Sequence, residues 1–273
     1  MRIVGYLRGN NRSSAKVKHF GDALGAEYRL RQDPVDADLM FQWGFGISHA
    51  LNHAFENHIP FIILENPVWG ARGATYTWAY GGQNGLGIIP NTDGLPERPR
   101  PELAPWKEEE TGQTTIFGQM PRDKALHGLD TNEWIKQCSA VLPESQIREH
   151  PGTLRSIGEE LQPCLDRTNL AVTYSSTVGS ETVIAGIPTI AMHPASLAWD
   201  VTTHNLSDEP IRPDREEWLH ALSYRHIYRD GDVPTDFILG GYDAQRAICE
   251  RLEDVPFREI VELGFYRSTQ LRN

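Results

Sequence analysis

Between Thr173 and Met192 the chain reads TYSSTVGSETVIAGIPTIAM. An apolar run gives way to three hydroxyl residues, Ser175, Ser176 and Thr177, then to Gly179, Ser180 and Glu181, before a second apolar run opens at Pro188. Ligands of open parallel sheets bind where strands end, so hydroxyls at a strand terminus suit an anionic ligand. Gly179 and Ser180 carry little bulk, and in a first helical turn their N–H groups would add donors at the positive end of the helix. Glu181 would repel a phosphate and suits ribose or sugar hydroxyls instead. The alternative is a cap without a ligand, with Ser176 or Thr177 closing the helix and Glu181 completing its first turn.

A second group of charges lies in SQIREHP. His150 can donate a hydrogen bond to a phosphate and, when protonated, offset its charge. Pro151 restrains the chain beyond it. Arg148 shares a strand face with His150 at a spacing of two, and its planar donor fork suits phosphate; Arg155 is a weaker candidate. Each of these residues also has an ordinary reading as a solvated surface charge.

Earlier in the chain, Arg8, Gly9, Asn10 and Ser13 follow the first apolar run and form a candidate phosphate or acceptor loop, or simply a polar turn into a serine-capped helix. Glu65 ends the run FIILE and is a candidate catalytic base, ahead of Asp38 and His49. A base must stand within hydrogen-bond reach of the proton it removes, directly or through one water. Trp69, Tyr76, Trp78 and Tyr80 are a candidate acceptor platform; the last three alternate, so an extended chain puts them on one face. The competing role for these rings is anchoring a loop to the core.

The elements that must position these groups follow from apolar runs. RIVGYL, ADLMFQW and IPFIILE read as buried strands, with ISHALNHAFENH as a crossover helix presenting Ile47, Leu51 and Phe55 on one face. Residues 66–113, rich in Gly, Pro and charge, break the rhythm and read as an active-site loop followed by a connector. Strands then resume at TTIFGQM, SQIREHP, NLAVTYSS and PTIAM, with helices at TNEWIKQCSAVL, capped by Thr131 or Asn132, and at GTLRSIGEELQPC and GSETVIAG. Alternating strands and helices predict an α/β protein with parallel sheets. The expected architecture is two Rossmann-like domains facing a cleft. Residues 1–108 form the acceptor side and residues 109–273 the donor side, with a C-terminal helix that returns to the first domain; a single doubly wound domain is the alternative.

The motifs REHP, YSSTVGSETVIAGIPTI and PASLAWD together resemble those of capsular-polysaccharide and sialic-acid-type glycosyltransferases with the two-domain GT-B scaffold. IFGQMPRDKAL resembles the signature that opens their second domain, with Gly118, Gln119 and Asp123 at the comparable positions. The resemblance spans about residues 114 to 210. It implies that His150 and Pro151 form one donor motif and that Ser175, Ser176 and Thr177 form the other. It also implies a nucleotide-sugar co-substrate, and a carbohydrate or other hydroxyl-bearing acceptor. Asp123 joins Glu65 and His150 as a candidate catalytic group, and Asp200 is placed to orient donor.

Composition narrows the partners. With 37 Asp and Glu against 26 Lys and Arg, the formal net charge of −11 opposes broad adhesion to nucleic acid. A modified nucleobase in DNA is therefore disfavoured as acceptor, though neither fold nor donor site excludes it. The sequence shows no HExxH, no Walker loop and no cysteine-rich zinc pattern, so no tightly bound metal is expected. Three cysteines without a close pair, no leader pattern at the start and no membrane-length apolar run point to a cytoplasmic protein with no integral membrane association. A nucleotide-sugar hydrolase or epimerase, or a noncatalytic binding module, would share much of this pattern.

Overall fold

A computed structural model describes residues 1–9, 12–44, 48–71, 73–108, 112–120, 130–151 and 160–251. Two compact units divide the chain: Met1–Pro99 with His220–Asn273, and Arg100–Leu219.

The first unit is built on a six-stranded sheet in the order β10-β5-β4-β3-β1-β2. Strands β1 (Ile3–Leu7), β2 (Glu27–Leu30), β3 (Leu39–Trp43) and β4 (Phe61–Glu65) pair in parallel; β5 (Thr75–Tyr80) runs antiparallel to β4, and β10 (His226–Tyr228) antiparallel to β5. The near-continuous apolar runs of β1, β3 and β4 are what a strand covered on both faces requires, and their first four residues are all buried. Helix Arg12–Ala23 packs Val17 and Phe20 onto the sheet, with Phe20 edge-on to Phe41 at 5.2 Å. Gly21 permits that closeness, since a Cβ there would stand 2.7 Å from the Phe41 ring. In helix His49–Glu56, Leu51 and Phe55 are buried as expected, and the Ser48 hydroxyl accepts the Leu51 N–H; Ile47 lies outside the described residues.

Three strands of this sheet depart from the sequence reading. β2, EYRL, is an edge strand with three exposed positions and so has no apolar signature. β5 falls inside the stretch expected to be irregular. Being antiparallel to β4, it needs only a loop and no crossover helix, so the strand-helix rhythm stops there. β10 has three residues, too few to show a period.

The second unit carries a four-stranded, all-parallel sheet in the order β7-β6-β8-β9, formed by β6 (Gln113–Phe117), β7 (Gln146–Arg148), β8 (Thr168–Thr173) and β9 (Thr189–Ala191). Helix Thr131–Val141 packs Trp134 and Cys138 onto Ile116, Val172 and Ile190. Its cap is Asp130, whose carboxylate accepts the N–H of Asn132 and Glu133 at 3.1 and 3.2 Å, rather than Thr131 or Asn132. Helix Leu161–Arg167 runs directly into β8.

The short crossover from β8 to β9 is a helix, Val178–Ile184, closed by Gly186 at φ +73°. Gly186 N–H donates to Val183 O at 3.1 Å and Ile187 N–H to Thr182 O at 2.9 Å, the paired bonds of a glycine-terminated helix. Pro188 then prevents the helix from continuing, and β9 begins at the next residue.

Candidate functional site at the carboxyl edge of the second sheet

In the order β7-β6-β8-β9 the chain leaves β6 toward one side of the sheet and enters β8 on the other. The carboxyl ends of β6 and β8 therefore border the switch point at which open parallel sheets bind ligands. Gly118 and Gln119 follow β6, and Tyr174 to Thr177 follow β8. The Gln119 side-chain amide donates to the Ser175 hydroxyl at 3.2 Å, and both residues are buried, so the two exits are tied at that point. On the other flank the Gly118 N–H donates to Arg148 O at 2.8 Å. A Cβ on Gly118 would stand 3.3 Å from both Arg148 O and His150 N, a tight contact that glycine avoids where the exit of β7 comes close. The expected residues Gly118, Gln119, Arg148, His150 and Ser175 thus collect at one edge, with Ser176 and Thr177 continuing from it.

The loop after β8 is more internally bonded than expected. Gly179 N–H donates to Ser176 O and Ser180 N–H to Thr177 O, each at 3.0 Å, while Glu181 N–H reaches Thr177 O at 3.3 Å. The amides of Gly179 and Ser180, expected to face a phosphate, are engaged within this turn. The capping alternative fares differently at its two residues. Thr177 occupies the N-cap position in αR geometry with no side-chain cap bond, whereas the Ser176 hydroxyl accepts the Val178 N–H at 3.4 Å. Gly179 seats the turn against β8, because a Cβ there would be 3.0 Å from Thr173 Oγ1 and 3.4 Å from Ser196 Oγ. Ser180 is fully buried, as is Thr173, and neither hydroxyl has a hydrogen-bond partner among the described residues. Arg148, His150, Ser176, Thr177 and Glu181 retain partial exposure, so these are the members of the expected set that a ligand can reach.

One neighbour was not singled out in the sequence. His193 follows β9, keeps partial exposure and stacks on Tyr174 at 5.0 Å with the rings 26° apart. Its Nδ1 accepts the Ala195 N–H at 3.0 Å. The available signal was a second His-Pro pair directly after an apolar run, His193-Pro194 repeating His150-Pro151.

In the first unit, Arg8 and Gly9 leave β1, with Gly9 at φ +71° and its carbonyl accepting the Ser14 hydroxyl; Ser13 is partly buried. Glu65 closes β4, and its carboxylate accepts the Asn66 N–H at 3.3 Å. Tyr76, Trp78 and Tyr80 share a face of β5 as their spacing required, but that face is the core: none is more than 1% exposed, so the structure gives them a packing role and no route for an acceptor. Trp69 is an anchor. It stacks on His226 at 4.0 Å, and its indole N–H donates to the Tyr228 hydroxyl at 2.9 Å. Burial and, secondarily, Arg98 push the His226 imidazole down to about 3, which keeps it neutral while its Nε2 accepts the N–H of Val68 and Trp69. Asn10 and Asp123 lie outside the described residues, and Asp200 is exposed.

Among the described residues, no group of three or more His, Cys, Asp or Glu side chains could hold a metal ion, and no helix is long and apolar enough to cross a membrane. All three cysteines are free and buried.

No protein-family model matches the chain, and no curated protein sequence does. Solved structures do. One, described as the β-Kdo 2,4 transferase of KpsC from Thermosulfurimonas dismutans, aligns with a TM-score of 0.56 at 14% identity, covering 84% of this chain and 92% of its own. A second, the β-Kdo 2,7 transferase of the same KpsC, aligns with a TM-score of 0.51 at 12% identity, covering 91% and 99%. At such identities the likeness is one of fold, and it agrees with the two separate sheets and their flanking helices: the chain has a two-domain, GT-B-like α/β scaffold.

Proposed function

We propose that the protein is a glycosyltransferase that moves a sugar from a nucleotide donor to a hydroxyl-bearing acceptor. The observation that carries this reading is the convergence at the switch point of the second sheet: Gln119 bonded to Ser175, with Arg148 and His150 drawn in against Gly118. Two structural neighbours described as Kdo transferases support sugar transfer as the class of reaction.

In this reading the donor phosphate lies over the exits of β6, β7 and β8. Arg148 and His150 meet its negative charge, the hydroxyls of Ser176 and Thr177 donate to its oxygens, and Glu181 accepts from ribose or sugar hydroxyls. Ser175, Gly179 and Ser180 act from beneath, holding the loop in shape. As the acceptor oxygen bonds to the anomeric carbon, the bond from that carbon to the phosphate oxygen breaks and its electron pair leaves with the nucleotide. The acceptor proton passes to a carboxylate or imidazole within hydrogen-bond reach, directly or through one water. The acceptor is a carbohydrate or other hydroxyl compound; a modified base in DNA remains the less favoured choice at a net charge of −11.

The test is a panel of UDP-, CMP- and GDP-linked sugars incubated with purified protein and hydroxyl acceptors, followed by mass spectrometry. A mass increment on an acceptor that depends on one donor is expected, and His150→Ala should weaken donor binding or turnover about tenfold or more. Donor consumed without any glycosylated acceptor would replace transfer with hydrolysis or epimerisation, and binding without turnover would leave a binding module.

A further inference from the structure

Tyr242, Arg246 and Glu250 recur at intervals of four, which puts them on one stripe of helix Tyr242–Arg251. All three line an open cavity of about 310 Å³ at the amino edge of the first sheet. Asp38, which leads into β3, and Asn57 to Pro60, which lead from helix His49–Glu56 into β4, complete the polar and apolar lining that matters here. β3 and β4 are parallel neighbours, so these two approaches lie side by side, at the end of the strands remote from Glu65.

The lining combines two characters. Ile59 and Pro60 are buried and Tyr242 packs against the first core, which supplies apolar surface. Polar atoms of both senses accompany it. Asp38 accepts the Arg2 N–H at 2.5 Å through Oδ2 while its side chain stays half exposed. Asn57 commits its amide N–H groups to His53, at 2.9 Å from His53 O, and its Oδ1 has no donor among the described residues. Arg246 pairs with Glu250 at 2.9 Å, both of them exposed. Burial and then Asp38 push the Tyr242 phenol up, with Arg246 opposing, so these three side chains stand close enough to act on one another.

His58 adds a conformational signal. It follows the C-cap Asn57 at φ +54°, the left-handed position that glycine ordinarily takes after a helix. A side chain there is kept against a steric cost. Its ring lines the cavity and makes no hydrogen bond among the described residues. Two carboxylates beside one guanidinium give no excess of positive charge, so the cavity does not select an anion. No metal-holding group of His, Cys, Asp or Glu occurs among the described residues either. Hydroxyls both donate and accept, so a polyhydroxyl ring can use the carboxylates, the Asn57 carbonyl and the guanidinium while its C–H face covers the Tyr242 ring. The volume, at the lower end of the range for small-molecule sites, suits a single ring-sized ligand.

We propose that this cavity is a carbohydrate-binding site separate from the carboxyl edges of both sheets, and that it takes one neutral monosaccharide unit. It does not depend on the transfer reading.

The site can be tested without turnover. The full chain, with no nucleotide present, is titrated by saturation-transfer NMR with D-glucose, D-galactose, D-mannose, N-acetyl-D-glucosamine and L-rhamnose, and with cyclohexanol as a ring carrying one hydroxyl. Saturable binding of at least one sugar and none of cyclohexanol is expected. His58→Gly removes the ring and suits φ +54°, so its thermal midpoint should not fall while its affinity for that sugar drops about tenfold. Arg246→Ala, at an exposed position, should weaken the same binding by a similar factor. A sugar that keeps its affinity in both variants is bound elsewhere, which would overturn this site and leave the transfer reading standing. No saturable binding by any sugar of the panel, or cyclohexanol bound as tightly as the best of them, would overturn it as well.

Discussion

The two sheets end differently at their carboxyl edges. The edge of the first carries long charged side chains: Arg8 leaves β1, the Arg31 guanidinium donates to Trp43 O, the Lys16 ammonium lies over the Trp43 ring, and Glu65 closes β4. The edge of the second is lined by short neutral groups, Gly118, Gln119, Ser175, Ser176 and Thr177, with Arg148 and His150 alongside. Neutral hydroxyls and glycine let a ligand's backbone-like phosphates approach closely at little electrostatic cost when the site is empty. At the first edge the cost of burying Arg31 and its repulsion from Arg8 are opposed by the Glu65 carboxylate. The two edges thus differ in side-chain length and charge at equivalent strand ends.

The largest effect that would sharpen the comparison concerns the aromatic face of β5. Trp78 is 1% exposed and donates its indole N–H to Tyr224 O at 2.9 Å, so Trp78→Ala should cost about 3–5 kcal/mol in denaturant unfolding. A small loss of stability together with a large loss of acceptor affinity would return these rings to the site.

Next in size is a pH effect confined to the first unit. His226 is held neutral down to about 3, below the ordinary 6.5, so its contribution to stability is fully present above pH 6.5 and lost as pH falls toward 3. Stability should decline by up to about 1.4 kcal/mol per pH unit in that window from this group. His226→Gln should flatten the profile; an unchanged slope would place the titrating group elsewhere.

Smaller still are the two helix starts in the second unit. Asp130 caps helix Thr131–Val141 through two N–H bonds, and Asp130→Ala should cost about 1 kcal/mol. Thr177 makes no cap bond, so Thr177→Ala should change stability by less than about 0.5 kcal/mol while reducing nucleotide-sugar affinity about tenfold. Equal stability losses at the two positions would mean that Thr177 is a cap after all and weaken its assignment to a ligand.

The parallel strands were legible because burial on both faces demands unbroken apolar runs, as in IVGYL and FIILE. β2 was not, since its exposed edge selects for no such run. The aromatic alternation of β5 was read with the correct period, but period alone does not say which face meets solvent; here the strand lies between β4 and β10 with all six residues buried. The hydroxyl run after β8 was visible as a candidate site because small polar residues between apolar runs are distinctive. What could not be read was that Gly179 and Ser180 direct their N–H groups into their own turn, or that Gln119, 56 positions earlier, bonds Ser175. The first is a local choice of turn that residue types leave open, and the second depends on strand order, which places β6 beside β8.

The most direct test of the central claim is a crystal structure of the protein with the nucleotide released by whichever donor binds tightest. The account predicts phosphate oxygens within hydrogen-bond distance of the Ser176 and Thr177 hydroxyls, with Arg148 and His150 facing the same group. A nucleotide bound elsewhere, with residues 118–119, 148–150 and 175–177 untouched, would contradict it.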